Sequence, residues 1–144
     1  MSRRKGRVLA FQTLYAYEVG CVPLDQLLQF SWVGKDDVTD KGANCEEYVF
    51  ARLLVNGVIE HLSEIDANIK KYLASNWNFD RISRVSLSIL RMSAYSILYQ
   101  SDISVLIIID EAIQIAKEYG DDDAFRFVNA VLDRIYKATR YDGT

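Results

Sequence analysis

Four basic residues near the start of the chain are the first group that could do chemistry. Arg3, Arg4, Lys5 and Arg7 lie within positions 3–7, and the first acidic residue after them is Glu18. Arginine and lysine bind phosphate oxygens and displace the counterions of nucleic acid, and arginine also stacks on unpaired bases. The cluster therefore predicts a phosphate-binding arm, although on composition alone a solvated, frayed terminus fits it equally well.

A second group of residues lies along one flank of the last predicted helix. At about 100° per residue, Asp123, Phe127, Ala130 and Arg134 follow one line beside the apolar stripe. An aromatic ring next to a small residue and an arginine suits stacking on an unpaired base. Asp123 could accept a hydrogen bond from a base amino group, or could cap the helix. On this geometry alone, a position at the edge of the core is the better interpretation of Phe127.

Two residues of the first predicted helix could assist the arm. Tyr15 lies on the same side of that helix as Arg4 and Phe11, so its ring could support the arm or stack on RNA. Gln12 carries an amide that could hydrogen-bond a base. Both are therefore candidate RNA contacts.

Motifs of the common enzyme classes do not occur in the sequence. His61 is the single histidine, and there is no nucleophile elbow, Walker A loop, dinucleotide-binding glycine motif or HExxH zinc motif. Cys21 and Cys45 form no CxxC pair, and we expect two free thiols in a reducing cytosol, with a disulfide as the alternative. We predict a protein that is not an enzyme and that needs neither a metal nor a cofactor.

The overall composition indicates one globular domain with an uneven charge distribution. The 144 residues are 50% hydrophobic and 26% charged, with a net charge of −3. Because the acidic residues dominate outside the N-terminal cluster, the chain is acidic with one basic end. The densest apolar run is far too short to span a membrane, so we expect a soluble, cytoplasmic protein.

The elements that must position these residues are predicted to be helices. The sequence contains seven glycines and a single proline, and its apolar residues recur at the helical period of 3.6 residues. We predict an all-α fold of about seven helices, with a loop over 33–44 that divides the chain. The predicted helices cover about 3–18, 24–32, 45–61, 63–74, 80 or 83 to 99, 105–119 and 125–137.

Two of these helices depend on particular patterns. Apolar residues surround the fifth helix on nearly all sides, which indicates that other helices enclose it. The segment 105–109 contains four β-branched residues and could by itself form a buried strand. However, Leu106, Ile109 and Ile113 continue one helical face. We therefore predict a sixth helix there.

Three blocks of the sequence follow one known pattern. The run IDEAIQIAKEYGDDDAFRFVNAVLDRI (109–135) matches INEAIxLAKxFG, a short acidic link and FVNGVLD. The run ISRVSLSILRMSAYSILY (82–99) matches VxxxILRxAxYEL, and RRKGRVLAFQTLYAYE (3–18) matches RRxARxxALQALY. The three blocks have the order and spacing of the NusB family across nearly the whole chain, so the sequence resembles that family.

Five positions differ from the family pattern. Asp110 stands where asparagine is usual, Ser104 where proline is usual, and Ala130 replaces the glycine of FVNG. Ser96 replaces the glutamate of YEL, and Ser86 lies on the same central helix. The two serines are the differences that could alter a partner surface.

The resemblance implies a binding protein with two helical subdomains, about 1–76 and 77–144. Members of the family pair with the ribosomal protein NusE and bind the boxA element of nascent RNA in the antitermination complex of RNA polymerase, notably on ribosomal RNA operons. A helical protein–protein adaptor or a homodimer without RNA binding is the alternative. The resemblance favours RNA contacts by Arg3, Arg4, Lys5, Arg7, Gln12, Tyr15, Asp123, Phe127 and Arg134.

Overall fold

The computed structural model describes residues 2–20, 22–33 and 45–139. All regular secondary structure within them is helical, which confirms the all-α prediction. The predicted loop over 33–44 lies almost entirely outside the described residues, as does Cys21. Seven α-helices and one 3-10 turn, Phe79–Arg81, are described. The α-helices are α1 Arg3–Val19, α2 Leu24–Leu27, α3 Glu46–Glu60, α4 Leu62–Lys71, α5 Arg84–Tyr99, α6 Val105–Tyr119 and α7 Ala124–Thr139.

Short polar side chains and one glycine set the ends of α1 and α5. The Ser2 hydroxyl accepts a hydrogen bond from the backbone N–H of Lys5 at 3.2 Å, and the Ser83 hydroxyl accepts one from Ser86 at 3.1 Å. Such caps satisfy N–H groups that the first helical turn leaves without a partner. Gly20 ends α1 with a φ of +76°, a conformation that glycine adopts without steric cost.

The second and fourth helices differ from their predicted bounds. α2 is a single turn rather than a helix over 24–32, because Phe30 takes a φ of +57° and the chain turns away from the helical path. The indole of Trp32 donates to the carbonyl of Leu27 at 2.9 Å and closes this turn. α4 begins at Leu62, one residue before the predicted cap at Ser63.

The fifth helix is central, as its apolar pattern predicted. α5 packs against α1, α3, α4, α6 and α7. Arg91 ties it to two of them, because its guanidinium donates to Asp66 at 2.9 Å and to Glu18 at 2.8 Å. The residues of α5 that are buried are Ser86, Leu87, Ser88, Ile89, Leu90, Met92, Ser93, Ala94, Ser96 and Ile97.

The β-branched segment 105–109 forms the start of α6, so the helical prediction for it is confirmed. The buried face differs from the predicted one, because Val105 and Ile108 are buried whereas Leu106 is 74% exposed. Ile107 is also exposed. The helical period was therefore correct, but the face was offset by about one residue at the start of the helix.

The last helix presents its predicted stripe to the core. α7 packs against α5 and α6, and Asp123, Ala130 and Arg134 of its predicted flank stay at the surface. The division into subdomains at about residue 76 stays a prediction, since α5 contacts helices on both sides of it. The buried residues of α7 are Ala124, Val128, Val131, Leu132 and Ile135.

Candidate nucleic-acid interface

A hollow of about 580 Å³ lies beside the exposed flank of α7. The four predicted flank residues all line it. The opposite wall comes from the connection between α4 and α5, which contributes Ala74, Trp77, Arg81 and Ser83 among others. The structure therefore joins the flank to a segment that sequence reasoning had not assigned to the site. The flank residues are Asp123, Phe127, Ala130 and Arg134.

The two aromatic residues of the hollow form a pair. The ring centroids of Trp77 and Phe127 are 4.5 Å apart, and the ring planes are inclined by 38°. Trp77 is 47% exposed, whereas Phe127 packs partly against the core. Trp77 thus packs against α7 through this pair while about half of its surface stays exposed. An exposed indole supported by a second ring provides a flat surface on which an unpaired base can stack.

Charged side chains frame the aromatic pair. Arg81 and Arg134 are exposed at the hollow, and Arg134 donates to the backbone carbonyl of Tyr72 at 3.2 Å. Arg126 lies 3.5 Å from the carboxylate of Asp123, in an exposed pair that contributes little to stability. The hollow therefore offers cationic donors and a carboxylate acceptor next to a stacking surface.

The turn before α7 explains why Asp123 remains exposed. The side chain of Asp121 accepts a hydrogen bond from the backbone N–H of Asp123 at 3.1 Å, so Asp121 organises the turn. The backbone carbonyl of Asp123 accepts from the N–H of Phe127. The Asp123 carboxylate, 86% exposed, is thus not used as a helix cap.

Three of the four arm residues are exposed in the first turn of α1. Arg3, Arg4 and Lys5 are helical rather than frayed. A guanidinium nitrogen of Arg4 lies 3.6 Å from the carboxylate of Glu118, and both side chains are about half exposed. Such a pair is worth at most about 1 kcal/mol, so a phosphate can replace the carboxylate.

Arg7 does not belong to this exposed group. Its side chain is 1% exposed, forms an ion pair with Glu111 and lies 3.4 Å from the hydroxyl of Ser96. Its guanidinium is also 5.8 Å from the ring centroid of Phe50. Burial lowers the pKa of Arg7, and the charge of Glu111 opposes that shift. The predicted phosphate contact by Arg7 is therefore corrected, because a buried, ion-paired guanidinium joins helices rather than meeting a ligand.

Gln12 and Tyr15 lie near the end of α6 and do not line the hollow. The amide of Gln12 donates to the hydroxyl of Tyr119 at 3.3 Å. Tyr15 is 38% exposed, and its ring centroid is 6.5 Å from that of Phe11, which in turn is 5.1 Å from Tyr119. Phe11, Tyr15 and Tyr119 form an aromatic cluster between α1 and α6, and Gln12 lies beside it.

The arm and the hollow both border the connection from α6 to α7. Arg4 contacts Glu118 in the last turn of α6. The hollow begins at Asp121 and Asp123, a few residues later in the chain. The arm and the Asp123 end of the hollow, which the sequence analysis treated separately, therefore border the two ends of the same connection.

A comparison with protein-family models decides what the chain is related to. The model of the NusB family matches residues 4–137. This chain belongs to the NusB family. The match includes the first helix from Arg4, the central helix, and the last helix as far as Lys137.

Known NusB proteins are similar to this chain over nearly its whole length. The transcription antitermination protein NusB of Treponema denticola is 48% identical over 135 residues, which cover 94% of this chain and 96% of the relative. The structure of T. maritima NusB has a TM-score of 0.82 and 36% identity, and the match covers 96% of this chain and 93% of that one.

A second solved structure contains the antitermination factors NusB and NusE in complex with double-stranded RNA. It matches this chain with a TM-score of 0.75 and 26% identity, over 94% of this chain and 96% of the other. The NusB family is a family of transcription antitermination factors, so this chain is not an enzyme. Within the ranges 2–20, 22–33 and 45–139, no helix is long and apolar enough to cross a membrane.

Proposed function

We propose that this NusB-family protein is an RNA-binding antitermination factor. It binds boxA-type single-stranded RNA together with the ribosomal protein NusE and joins the antitermination complex of RNA polymerase in the cytoplasm, with ribosomal RNA operons as its main targets. The observation that carries this proposal is the hollow in which Trp77 and Phe127 lie among exposed arginines.

The hollow suits one unpaired base. Stacking of a base on an aromatic side chain is worth about 1–3 kcal/mol, and the exposed carboxylate of Asp123 can accept a hydrogen bond from a base amino group. In an A-form duplex the bases are stacked on one another and their faces are covered. A single-stranded element therefore fits the Trp77–Phe127 surface better than a duplex does.

The first turn of α1 supplies contacts to the RNA backbone. Arg3, Arg4 and Lys5 are exposed, and Arg4 can exchange Glu118 for a phosphate. Each phosphate contact adds salt-dependent affinity through counterion release. Phosphate contacts position an RNA but do not specify its sequence, so sequence preference is expected to arise in the hollow.

A partner protein compensates for the small number of cations. With a net charge of −3, much of this surface repels RNA, and nonspecific contacts of this kind give dissociation constants of about 10⁻⁴–10⁻⁶ M. A bound NusE would present further RNA contacts at high effective concentration and raise affinity by about 10²–10⁴. A basic ribosomal protein also complements an acidic surface.

A helical adaptor or homodimer without RNA binding is the second candidate function. Exposed apolar residues favour it, since Leu106 and Ile107 on α6 and Leu53 on α3 are each more than half exposed. Large exposed apolar side chains are typical of protein–protein contacts when they are contiguous.

A binding titration separates the two candidates. A fluorescently labelled boxA-like RNA and a scrambled RNA of the same composition are titrated at fixed salt, with and without NusE, while light scattering measures oligomeric state. We expect preference for the boxA-like RNA and a large gain in affinity with NusE. A stable dimer that binds neither RNA in either condition would support the adaptor instead.

A further inference from the structure

The fold gathers a second basic surface that the sequence does not reveal. Among the described residues, Lys70, Lys71, Arg81 and Arg134 have no carboxylate partner, whereas Arg4, Arg7, Arg84, Arg91, Arg126 and Lys137 each have one. These four cations come from α4, the 3-10 turn and α7. The described part of the chain thus has a basic surface here in addition to the N-terminal arm.

The second surface forms a groove that is continuous with the base-stacking hollow. The groove has a volume of about 470 Å³ and is lined by Lys71, Tyr72, Arg134 and Lys137 among others. Ala74 and Arg134 line both the groove and the hollow, so the two share a wall. A single-stranded RNA that leaves the hollow past Arg134 therefore enters the groove directly.

The helix dipoles account for only part of this positive charge. α4 and α7 both end here, and each helix end carries about half a negative charge. The two helix ends together carry about one negative charge, which is less than the positive charge of Lys70, Lys71, Arg134 and Lys137. The Asp133 carboxylate pairs with Lys137 at 2.9 Å. A net positive surface therefore remains for an anionic ligand.

The chemistry of the groove suits phosphates rather than bases. The ring of Tyr72 is half-buried and covered by the ammonium group of Lys71, 5.4 Å from its centroid, and the ammonium group of Lys70 lies 4.7 Å from the ring centroid of Phe79. No ring in the groove is thus left open for stacking, while the exposed cations remain available to oxygen ligands.

We propose that this groove, lined by Lys71, Arg134 and Lys137, binds the phosphates of RNA nucleotides next to the base held at Phe127. The inference rests on the proposed function and adds a path for the RNA. Asp123 and Lys137 are about 20 Å apart along α7, and the arm lies near the Asp123 end. The RNA therefore runs along α7, from the arm through the hollow and into the groove.

The test compares two lysines that have matching surroundings. Lys71 and Lys117 are both exposed, both lie in the last turn of a helix, and both have their ammonium group above an aromatic ring, at 5.4 Å and 5.0 Å. Lys117 lines neither the hollow nor the groove. Lys71→Gln and Lys117→Gln are titrated with a short boxA-like RNA and with the same RNA lengthened at either end, in the presence of NusE.

The expected result depends on RNA length. Lengthening the RNA at one end should raise the affinity of the unmodified protein and of Lys117→Gln. Lys71→Gln should lose about 0.7 from the salt slope with the lengthened RNA, which is about fivefold in affinity at 0.1 M salt, and should bind the short RNA normally.

Two results would overturn the inference. Equal behaviour of Lys71→Gln and Lys117→Gln with both RNAs would exclude a phosphate contact in the groove. Loss of NusE or RNA polymerase binding by Lys71→Gln, with RNA affinity unchanged, would assign the groove to an acidic protein surface. Failure of the unmodified protein to bind even the short RNA would instead refute the proposed function itself.

Discussion

The rings of Trp77 and Phe127 lie 4.5 Å apart although they belong to distant parts of the chain. Phe127 is on the first turns of α7, and Trp77 is on the connection between α4 and α5. The contact turns a helix flank into one wall of a hollow and leaves about half of the indole exposed. The RNA-binding proposal depends on this pair.

Replacement of Phe127 by alanine should weaken RNA binding without changing its salt dependence. Loss of one stacked base costs about 1–3 kcal/mol, or about 5- to 150-fold in affinity. Phe125→Ala is the matched control, since Phe125 is on the same helix, is also half-buried and does not line the hollow. Thermal unfolding of both variants checks the fold, and equal RNA affinity of the two variants would return Phe127 to a purely structural role.

Replacement of Arg4 by glutamine should lower the salt slope of RNA binding by about 0.7, because one single-strand phosphate contact is lost. Arg84→Gln is the control, since Arg84 is also an exposed arginine paired with a carboxylate, Glu18, at 3.1 Å. The measurement is affinity over a series of salt concentrations. A slope that stays unchanged in Arg4→Gln would mean that the arm does not touch RNA.

Replacement of Arg7 by glutamine should reduce stability rather than RNA binding. The change removes the cation that pairs with the largely buried carboxylate of Glu111. Leaving that carboxylate unpaired should lower the free energy of unfolding by about 3 kcal/mol. Urea unfolding measures the loss, and the double variant Arg7→Gln, Glu111→Gln should recover much of it, since no charge is then left unpaired. If Arg7→Gln kept full stability but bound RNA more weakly, the structural role assigned to Arg7 would be wrong.

Acid should weaken the attachment of α1 to α3. Glu47 accepts the backbone N–H of Ser2 at 3.0 Å and the thiol of Cys45 at 3.2 Å, and the hydrogen bond from Ser2 is the main cause that lowers the pKa of Glu47. A lowered folded-state pKa means that this contribution is present above about pH 4.5 and is lost as the pH falls through the folded value.

The corresponding measurement is the unfolding midpoint of the unmodified protein and of Glu47→Gln over a pH series. The difference between them should be largest near neutral pH and should shrink in acid. A difference that is constant across the series would show that the Glu47 carboxylate does not contribute through its charge.

Helical periodicity was sufficient to predict the all-α class and one wall of the hollow. The buried stripe of α7 and its exposed flank follow from spacing alone, because a helix repeats every 3.6 residues. The burial of Arg7 could have been predicted in the same way. Arg7, Phe11 and Leu14 lie at helical spacing, and all three are buried. The prediction of a phosphate contact by Arg7 was wrong because it relied on the local cluster of positive charges and not on this spacing.

The rest of the hollow could not be predicted from one sequence. Trp77 and Arg81 are in a connection without periodicity, and their position depends on how α4 and α7 pack. The second basic surface also arises from packing, since Lys71 and Arg134 are far apart in the chain. Long-range contacts of this kind leave no local pattern.

Trp77 provides the most direct test of the account, because tryptophan fluorescence reports a base that stacks on the indole. The protein has two tryptophans, so Trp32→Phe makes Trp77 the sole source of the signal. The variant is titrated with boxA-like RNA in the presence of a tryptophan-free NusE. The account predicts saturable quenching of Trp77 fluorescence that follows binding and that scrambled RNA does not reproduce. Full binding of boxA-like RNA with unchanged Trp77 fluorescence would contradict it.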